Sequence, residues 1–199
     1  MQETDLSWLA SAQQGNSDAF AQMVEAFQRP VFNLCYRMLG DAAEAEDAAQ
    51  ETFMRAYRSI KHYDNSRPFP TWLMSIAAHY CIDQIRKRRM KMVSVDDMGF
   101  AEPSDDTPGP ESSLSRSEEQ SMVRGLLDQL SPVDRAAVVM YYWDDFSYEE
   151  IGNALSLTES AVKSRLHRAR RDMAQMMMDQ REQAQSMKRG AHGEQSPAY

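Results

Sequence analysis

Phe146-Ser147-Tyr148-Glu149-Glu150-Ile151-Gly152-Asn153-Ala154-Leu155-Ser156-Leu157-Thr158-Glu159-Ser160-Ala161-Val162-Lys163-Ser164-Arg165-Leu166-His167-Arg168-Ala169-Arg170-Arg171 reads as two helices with a break of about three residues, a helix-turn-helix. Ser147 is a candidate N-cap, and Glu150 three residues on completes a capping box. Ile151, Ala154 and Leu155 give the first helix one apolar face. Thr158 can cap the second, with Glu159 in its positively polarised first turn. There Ala161, Val162, Leu166 and Ala169 form the inward stripe, and Lys163, Ser164, His167, Arg168 and Arg171 the outward one. A narrow apolar back and a donor-rich front suit a helix entering a DNA major groove. The alternative from this window alone is an ordinary amphipathic pair with a solvated basic face.

At 199 residues and 42% hydrophobic content the chain can build one domain or two small ones. Helix formers dominate and no long strand-like alternation occurs, so an all-α protein is expected. No apolar run approaches the roughly 20 residues of a membrane span, and Met1-Gln2-Glu3-Thr4-Asp5 lacks the basic start of a signal peptide. The expected location is the cytoplasm, without membrane insertion. Cys35 and Cys81 fall in apolar helical stretches far apart, and His62, His79, His167 and His192 form no ligand-spaced cluster, so reduced buried thiols and no metal site are expected.

The net charge of −8 argues at first against nucleic acid, but its distribution reverses the argument. Arg86-Lys87-Arg88-Arg89-Met90-Lys91 holds five positive charges in six residues. From Thr158 to Arg171 five basic residues face Glu159 alone, a net of +4. Between Asp96 and Glu119 eight acids face only Arg116, a net of −7. Two basic patches separated by an acidic tether point to two nucleic-acid contacts and a linker. The overall acidity implies weak DNA binding by the free chain, because phosphate neutralisation supplies most non-specific affinity.

Along the chain, a short helix containing Leu6, Leu9 and Ala12 should stop at Gly15. Asn16-Ser17 starts a longer one, in which Phe20 to Leu39 recur at helical steps and Pro30 is expected to bend or split it. Asp41 caps a third helix with Glu44 at the capping-box position. Its small residues Ala45, Ala48 and Ala49 allow close packing, and Asp47, Gln50 and Glu51 project polar groups, with Arg55 four residues beyond Glu51. His62 to Pro70 is a turn-rich loop carrying Tyr63 and Phe69, with Trp72 after it. These rings could stack unpaired bases or pin the loop to the core. The helix from Thr71 buries Leu73, Ile76, Ala77, Tyr80 and Ile85, while Trp72, Ser75, His79, Asp83 and Arg86 share another side that leads into the basic run. Val93 to Glu119 reads as a flexible acidic linker. A helix with Met122, Val123, Leu126, Leu127 and Leu130 inward resumes near Ser115, and Ser131-Pro132 starts another holding Ala136, Val139, Met140, Tyr142 and Trp143. After about Met178 a polar, frayed tail is expected.

Four ordered blocks together resemble a bacterial RNA polymerase sigma factor of the extracytoplasmic-function type, in the sigma-70 family. Asp18-Ala19-Phe20 with Arg37-Met38-Leu39-Gly40-Asp41 is similar to the family's first conserved helix, and Ala45 through Phe53 to its polymerase-binding segment. Thr71-Trp72-Leu73 through Arg86 resembles the segment reading the minus-ten element. Leu130-Ser131-Pro132 through Arg170 resembles the minus-thirty-five reader. His79 stands where the family usually has Asn, Ser156 replaces the Gly of the turn, and Ser160-Ala161 replaces Gly-Thr.

The resemblance implies two small helical domains, 5–92 and 115–178, with a linker at 93–114 and a tail at 179–199, and promoter-specific initiation as a dissociable polymerase subunit, not an enzyme and without a cofactor. It implies core RNA polymerase contacts at Asp47, Gln50, Glu51, Phe53 and Arg55. Minus-ten DNA contacts fall at Tyr63, Asn65, Phe69, Trp72, Ser75, His79, Arg86, Arg88 and Arg89, where the loop would hold an extruded base. Minus-thirty-five contacts fall at Ser160, Lys163, Ser164, Arg165, His167, Arg168 and Arg171, although Arg165 and Arg170 could instead pair with acids of their own domain. An inhibitory anti-sigma factor is compatible with the resemblance. The other readings are a free-standing helix-turn-helix regulator and a Met-rich interaction module, the chain having 15 Met.

Overall fold

The computed structural model describes residues 7–96 and 114–193, with side chains at 7–91 and 121–182. Among these residues all regular structure is helical: α1 Leu9–Gln13, α2 Ser17–Leu39, α3 Ala42–Ser59, a 3-10 turn Ile60–His62, α4 Phe69–Asp96, α5 Leu114–Gln129, α6 Pro132–Tyr142, α7 Tyr148–Leu155 and α8 Glu159–Gly193. Thr4, Asp5, Leu6 and most of the acidic stretch, 97–113, lie outside the described residues.

Local chemistry sets most helix ends. The Asn16 side chain accepts from the Asp18 and Ala19 amides at 2.9 and 3.1 Å and starts α2. Pro30 does not split that helix, which runs unbroken to the left-handed Gly40 at φ 81°. Its apolar stripe is buried on both sides of the proline, from Met23 and Phe27 to Val31, Leu34 and Met38, and that packing outweighs the lost hydrogen bond. Asp41 accepts from the Glu44 amide at 2.8 Å. The expected capping box is only half made there, because the Glu44 carboxylate receives Arg88 of α4 instead.

Helices α1 to α4 form a first unit in which α2, α3 and α4 pack mutually. Helices α5 to α8 form a second, with α6 and α7 against α8. The two units share one contiguous core: α4 touches α6 and α7 as well as α2 and α3. This accounts for the burial pattern of α4. The expected inward residues Ile76 and Tyr80 are only partly buried, whereas Met74, Ala78 and Ile82 join Leu73, Ala77, Cys81 and Ile85 in the interior. A helix covered on two sides is apolar most of the way round and loses its amphipathic contrast.

Two other expectations are corrected. Met122 and Val123 on α5 are exposed, leaving Leu126, Leu127 and Leu130 to make its contacts. On α6, Ala136, Val139 and Met140 are buried together with Ala137 and Val138, while Tyr142 and Trp143 at its end are exposed. Residues beyond Met178 do not fray at that point: α8 continues as helix to Gly193.

Candidate nucleic-acid interface

The helix-turn-helix is built as its sequence suggests. Ser147 accepts from the Glu150 amide at 3.2 Å while the Glu150 carboxylate receives the Ser147 amide at 2.8 Å, a complete capping box. Ser156 ends α7 in the left-handed region, φ 57° and ψ 43°, where a glycine would be unstrained. The Leu157 amide donates to the Gly152 carbonyl at 2.8 Å, and a Cβ on Gly152 would stand 2.8 Å from the Leu157 carbonyl oxygen. The turn therefore folds back onto α7 so tightly that position 152 has no room for a side chain. Thr158 then accepts from the Ala161 amide at 3.2 Å and starts α8.

On α8, Val162, Leu166 and Ala169 are buried, and Ser160, Lys163, Ser164, His167, Arg168 and Arg171 lie exposed on the opposite side. Steps of three and four residues bring these six onto one face about 17 Å long. Among the described residues Ser160, Ser164, His167 and Arg168 make no hydrogen bond or ion pair. Lys163 is held by Glu159 at 2.6 Å, which raises its pKa, and lies over the Tyr148 ring at 5.4 Å. Arg171 pairs with Asp172 at 3.3 Å. Of the two readings of Arg165, the structure has the pairing within its own domain: half-buried at the flank, it pairs with Asp134 at 2.8 Å and ties α8 to the start of α6. Arg170 turns back to its own backbone, donating to the Leu166 carbonyl.

The loop before α4 is pinned by its aromatic residues. Phe69 is buried among Trp8, Phe27, Tyr63 and Trp72, with ring centroids 5.1 to 5.5 Å away. Tyr63 is also buried, and its hydroxyl donates to the Arg67 carbonyl. Both rings fill the core, so neither offers a face for a base; this corrects their assignment as DNA contacts. Trp72 is half-buried at the cluster's edge. Asn65 is exposed and donates to Gln13 of α1 at 3.3 Å. His79 is exposed with Nδ1 2.7 Å from the Ser75 carbonyl, and the Ser75 hydroxyl in turn donates to the Trp72 carbonyl.

The basic end of α4 is less available than its composition suggests. Arg86 is exposed and only loosely paired with Asp83 at 3.8 Å. Arg88 is engaged by Glu44, and Arg89 donates to the Asp128 and Leu130 carbonyls of the second unit. Beside Arg88, a groove of about 340 Å³ is lined by Glu44 and Asp47 of α3 and by Lys87 and Lys91 of α4. On α3, Asp47 and Gln50 are exposed and Phe53 is half-buried. Glu51 holds Arg55 at 2.8 Å, which lowers the Glu51 pKa, and Arg55 also covers the Tyr80 ring at 4.9 Å.

Arg135 and Asp144 escaped the sequence reading. Arg135 is 4% exposed and pairs with Asp128 at 2.8 Å. A cation at i+3 from Pro132 and beside Ala136, within the apolar stripe, was the available signal. Among the described residues no group of His, Cys, Asp and Glu could hold a metal ion, and no helix is long and apolar enough to cross a membrane.

Comparison with known proteins gives these surfaces a common context. Residues 23–90 match the family Sigma-70 region 2, and residues 120–173 match Sigma-70, region 4. The ECF RNA polymerase sigma factor SigW of Bacillus subtilis is 33% identical over 178 residues, covering 86% of this chain and 95% of that protein. SigE of Mycolicibacterium smegmatis is 34% identical over 165 residues, 82% of this chain and 63% of the relative. The fold is shared with CnrH, solved in complex with the cytosolic domain of CnrY (TM-score 0.67, 23% identity, 88% of this chain and 97% of that one). It is shared too with RpoE of Bartonella quintana, solved with the anti-sigma factor NepR (TM-score 0.63, 24% identity, 80% and 96%). The chain thus belongs to the extracytoplasmic-function sigma factors of the sigma-70 family, subunits that bind core RNA polymerase and direct promoter-specific transcription initiation.

Proposed function

We propose that this sigma factor reads the minus-thirty-five element with the outward face of α8 and the minus-ten element with the exposed edge of α4 and its preceding loop. The observation that carries the reading is the α8 face itself, where Ser160, Lys163, Ser164, His167, Arg168 and Arg171 converge and Arg168 has no partner among the described residues. An arginine there suits guanine, whose O6 and N7 accept two hydrogen bonds in the major groove. On α4 the remaining candidates are Trp72, Ser75, His79 and Arg86, with Asn65 in the loop; Arg88 and Arg89 would join them only after leaving their present partners. Asp47, Gln50 and Glu51 on α3 are the proposed contacts to core polymerase, with Phe53 and Arg55 supporting that face.

The chain does no chemistry of its own and acts in the cytoplasm, where polymerase and promoters are found. The first unit, 5–92, and the second, 115–178, are its functional domains. An anti-sigma factor is a fitting inhibitor, since the structural relatives CnrH and RpoE were solved with such partners or with a cytosolic domain bound.

The test is transcription by reconstituted holoenzyme on a promoter library randomised separately at the two elements. Arg168→Ala should relax the minus-thirty-five preference and leave the minus-ten preference intact. An unchanged minus-thirty-five profile would remove Arg168 from the reading set.

A further inference from the structure

Gln13, the last residue of α1, bridges two residues of the loop that precedes α4. Its Nε2 donates to the Tyr63 carbonyl at 3.1 Å, and its Oε1 accepts from Asn65 Nδ2 at 3.3 Å. The direction of this relay is fixed at one end. A backbone carbonyl only accepts, so the Gln13 nitrogen faces Tyr63 and its oxygen faces Asn65. That oxygen in turn admits only the nitrogen of the Asn65 amide, which leaves Asn65 Oδ1 and one N–H outside the relay. Asn65 is therefore an oriented amide at an exposed position. The helix that orients it is firmly seated. Trp8, just before α1, is buried with its ring 5.1 Å from Phe69 and 6.3 Å from Phe27, and Ala12 is buried one turn on. Helix α1 also packs on the 3-10 turn Ile60–His62.

Within the loop, the Asp64 carboxylate accepts from the Ser66 amide at 2.9 Å, the Arg67 amide donates to the Asp64 carbonyl at 3.1 Å, and the Tyr63 hydroxyl holds the Arg67 carbonyl. These bonds shape the backbone without reaching the Asn65 side chain; Gln13 reaches it from α1. The distinction matters for reading a base. Adenine and cytosine place an exocyclic amino donor next to a ring acceptor, whereas guanine and thymine place a carbonyl acceptor next to a ring donor. An amide free to turn over meets either order, and one held by a neighbouring hydrogen bond meets only one of them. We propose that Gln13 is a positioning residue for minus-ten recognition, which fixes the edge that Asn65 turns to an unpaired base and so separates amino from keto bases. The inference rests on the proposed place of Asn65 in the minus-ten reader.

The experiment measures open-complex formation by reconstituted holoenzyme on promoters carrying each base in turn at every non-template minus-ten position. Wild-type protein should favour one class, amino or keto, by about five-fold or more at one position. Asn65→Ala should bring that ratio toward equality. Gln13→Met, which keeps the length of the side chain but neither hydrogen bond, should do the same, and the double variant should lose nothing further. Gln13→Ala gives the same comparison with a smaller side chain. Circular dichroism and an unchanged minus-thirty-five preference establish that the variants are folded. A wild-type ratio in Gln13→Met, or a larger loss in the double variant than in Asn65→Ala, would overturn the positioning role while leaving Asn65 a reader. A wild-type ratio in Asn65→Ala, or no class preference at any position in the wild-type protein, would overturn the placement of Asn65 in the reader and the proposal with it.

Discussion

Arg37, near the end of α2, stands beside Asp144 in the turn between α6 and α7, and burial there lifts the Asp144 carboxyl from its usual range to about 7. Desolvation is the larger cause; the Arg37 charge opposes it and neighbouring Asp145 adds to it. Arg37 is itself half-buried, with its guanidinium 5.3 Å from the centre of the Trp143 ring, and Asp144 Oδ2 has no hydrogen-bond partner. The contact joins the two units through a carboxyl that is better neutral than ionised.

That relationship fixes a pH dependence. An acid whose pKa is raised on packing binds its proton more tightly in the packed state. Only well below pH 3.8 is Asp144 protonated in both states and without penalty; the penalty grows as pH rises from there to about 7. Wild-type protein should therefore lose thermal stability relative to Asp144→Asn between about pH 4.5 and 7.5. Melting curves of the two proteins across that range check it, and a constant difference would show that Asp144 is not desolvated.

Arg135→Ala should destabilise the fold by about 2–4 kcal/mol. The Met38 carbonyl would lose its charged donor, and a cavity would open in the shared core. Chemical denaturation measures it. A loss below about 0.5 kcal/mol would mean that Arg135 is solvated in solution.

Gly152→Ala should cost about 2 kcal/mol or more, because the added Cβ would meet the Leu157 carbonyl oxygen at 2.8 Å and the obstacle is backbone. Ser156→Gly should act in the opposite direction. Relief of the left-handed conformation is worth about 1–2 kcal/mol, partly offset by the greater chain entropy of glycine, so a gain of about 0.5–1 kcal/mol is expected. Thermal melts of both variants test the turn geometry from two sides.

Much of this architecture was legible in sequence because it is local. The capping box at Ser147, the cap at Ser131 and the Val162–Leu166–Ala169 stripe need only near neighbours to form. The left-handed conformation at Ser156 is different: only the resemblance, which has Gly at that turn, pointed to it. What could not be read depends on long-range packing. Met74, Ala78 and Ile82 are buried on a helix that packs against α6 and α7 as well as α2 and α3, and no local period announces a second covering layer. Tyr63 and Phe69 could equally stack bases or fill a core, and the choice was made by Trp8 and Phe27, far away in the chain. Arg165 and Arg89 carried the charge of DNA contacts, but their partners are Asp134 of α6, Asp128 of α5 and Leu130 just beyond it.

On the DNA side, Arg168→Ala should weaken holoenzyme binding to a cognate promoter by about 1–3 kcal/mol if it contacts a base edge. If it contacts phosphate only, the loss should be similar on all sequences and the salt dependence of binding should become shallower by about one ion. Titrations at several salt concentrations on cognate and substituted promoters separate the two roles.

The most direct test of the account is transcription in vitro with core polymerase freed of all sigma factors, using genomic promoter fragments as templates. With this chain added, transcripts should start at discrete sites downstream of a shared pair of sequence elements, and they should vanish when it is omitted. Absence of promoter-dependent transcripts, with the chain folded and the core active in elongation, would contradict the account.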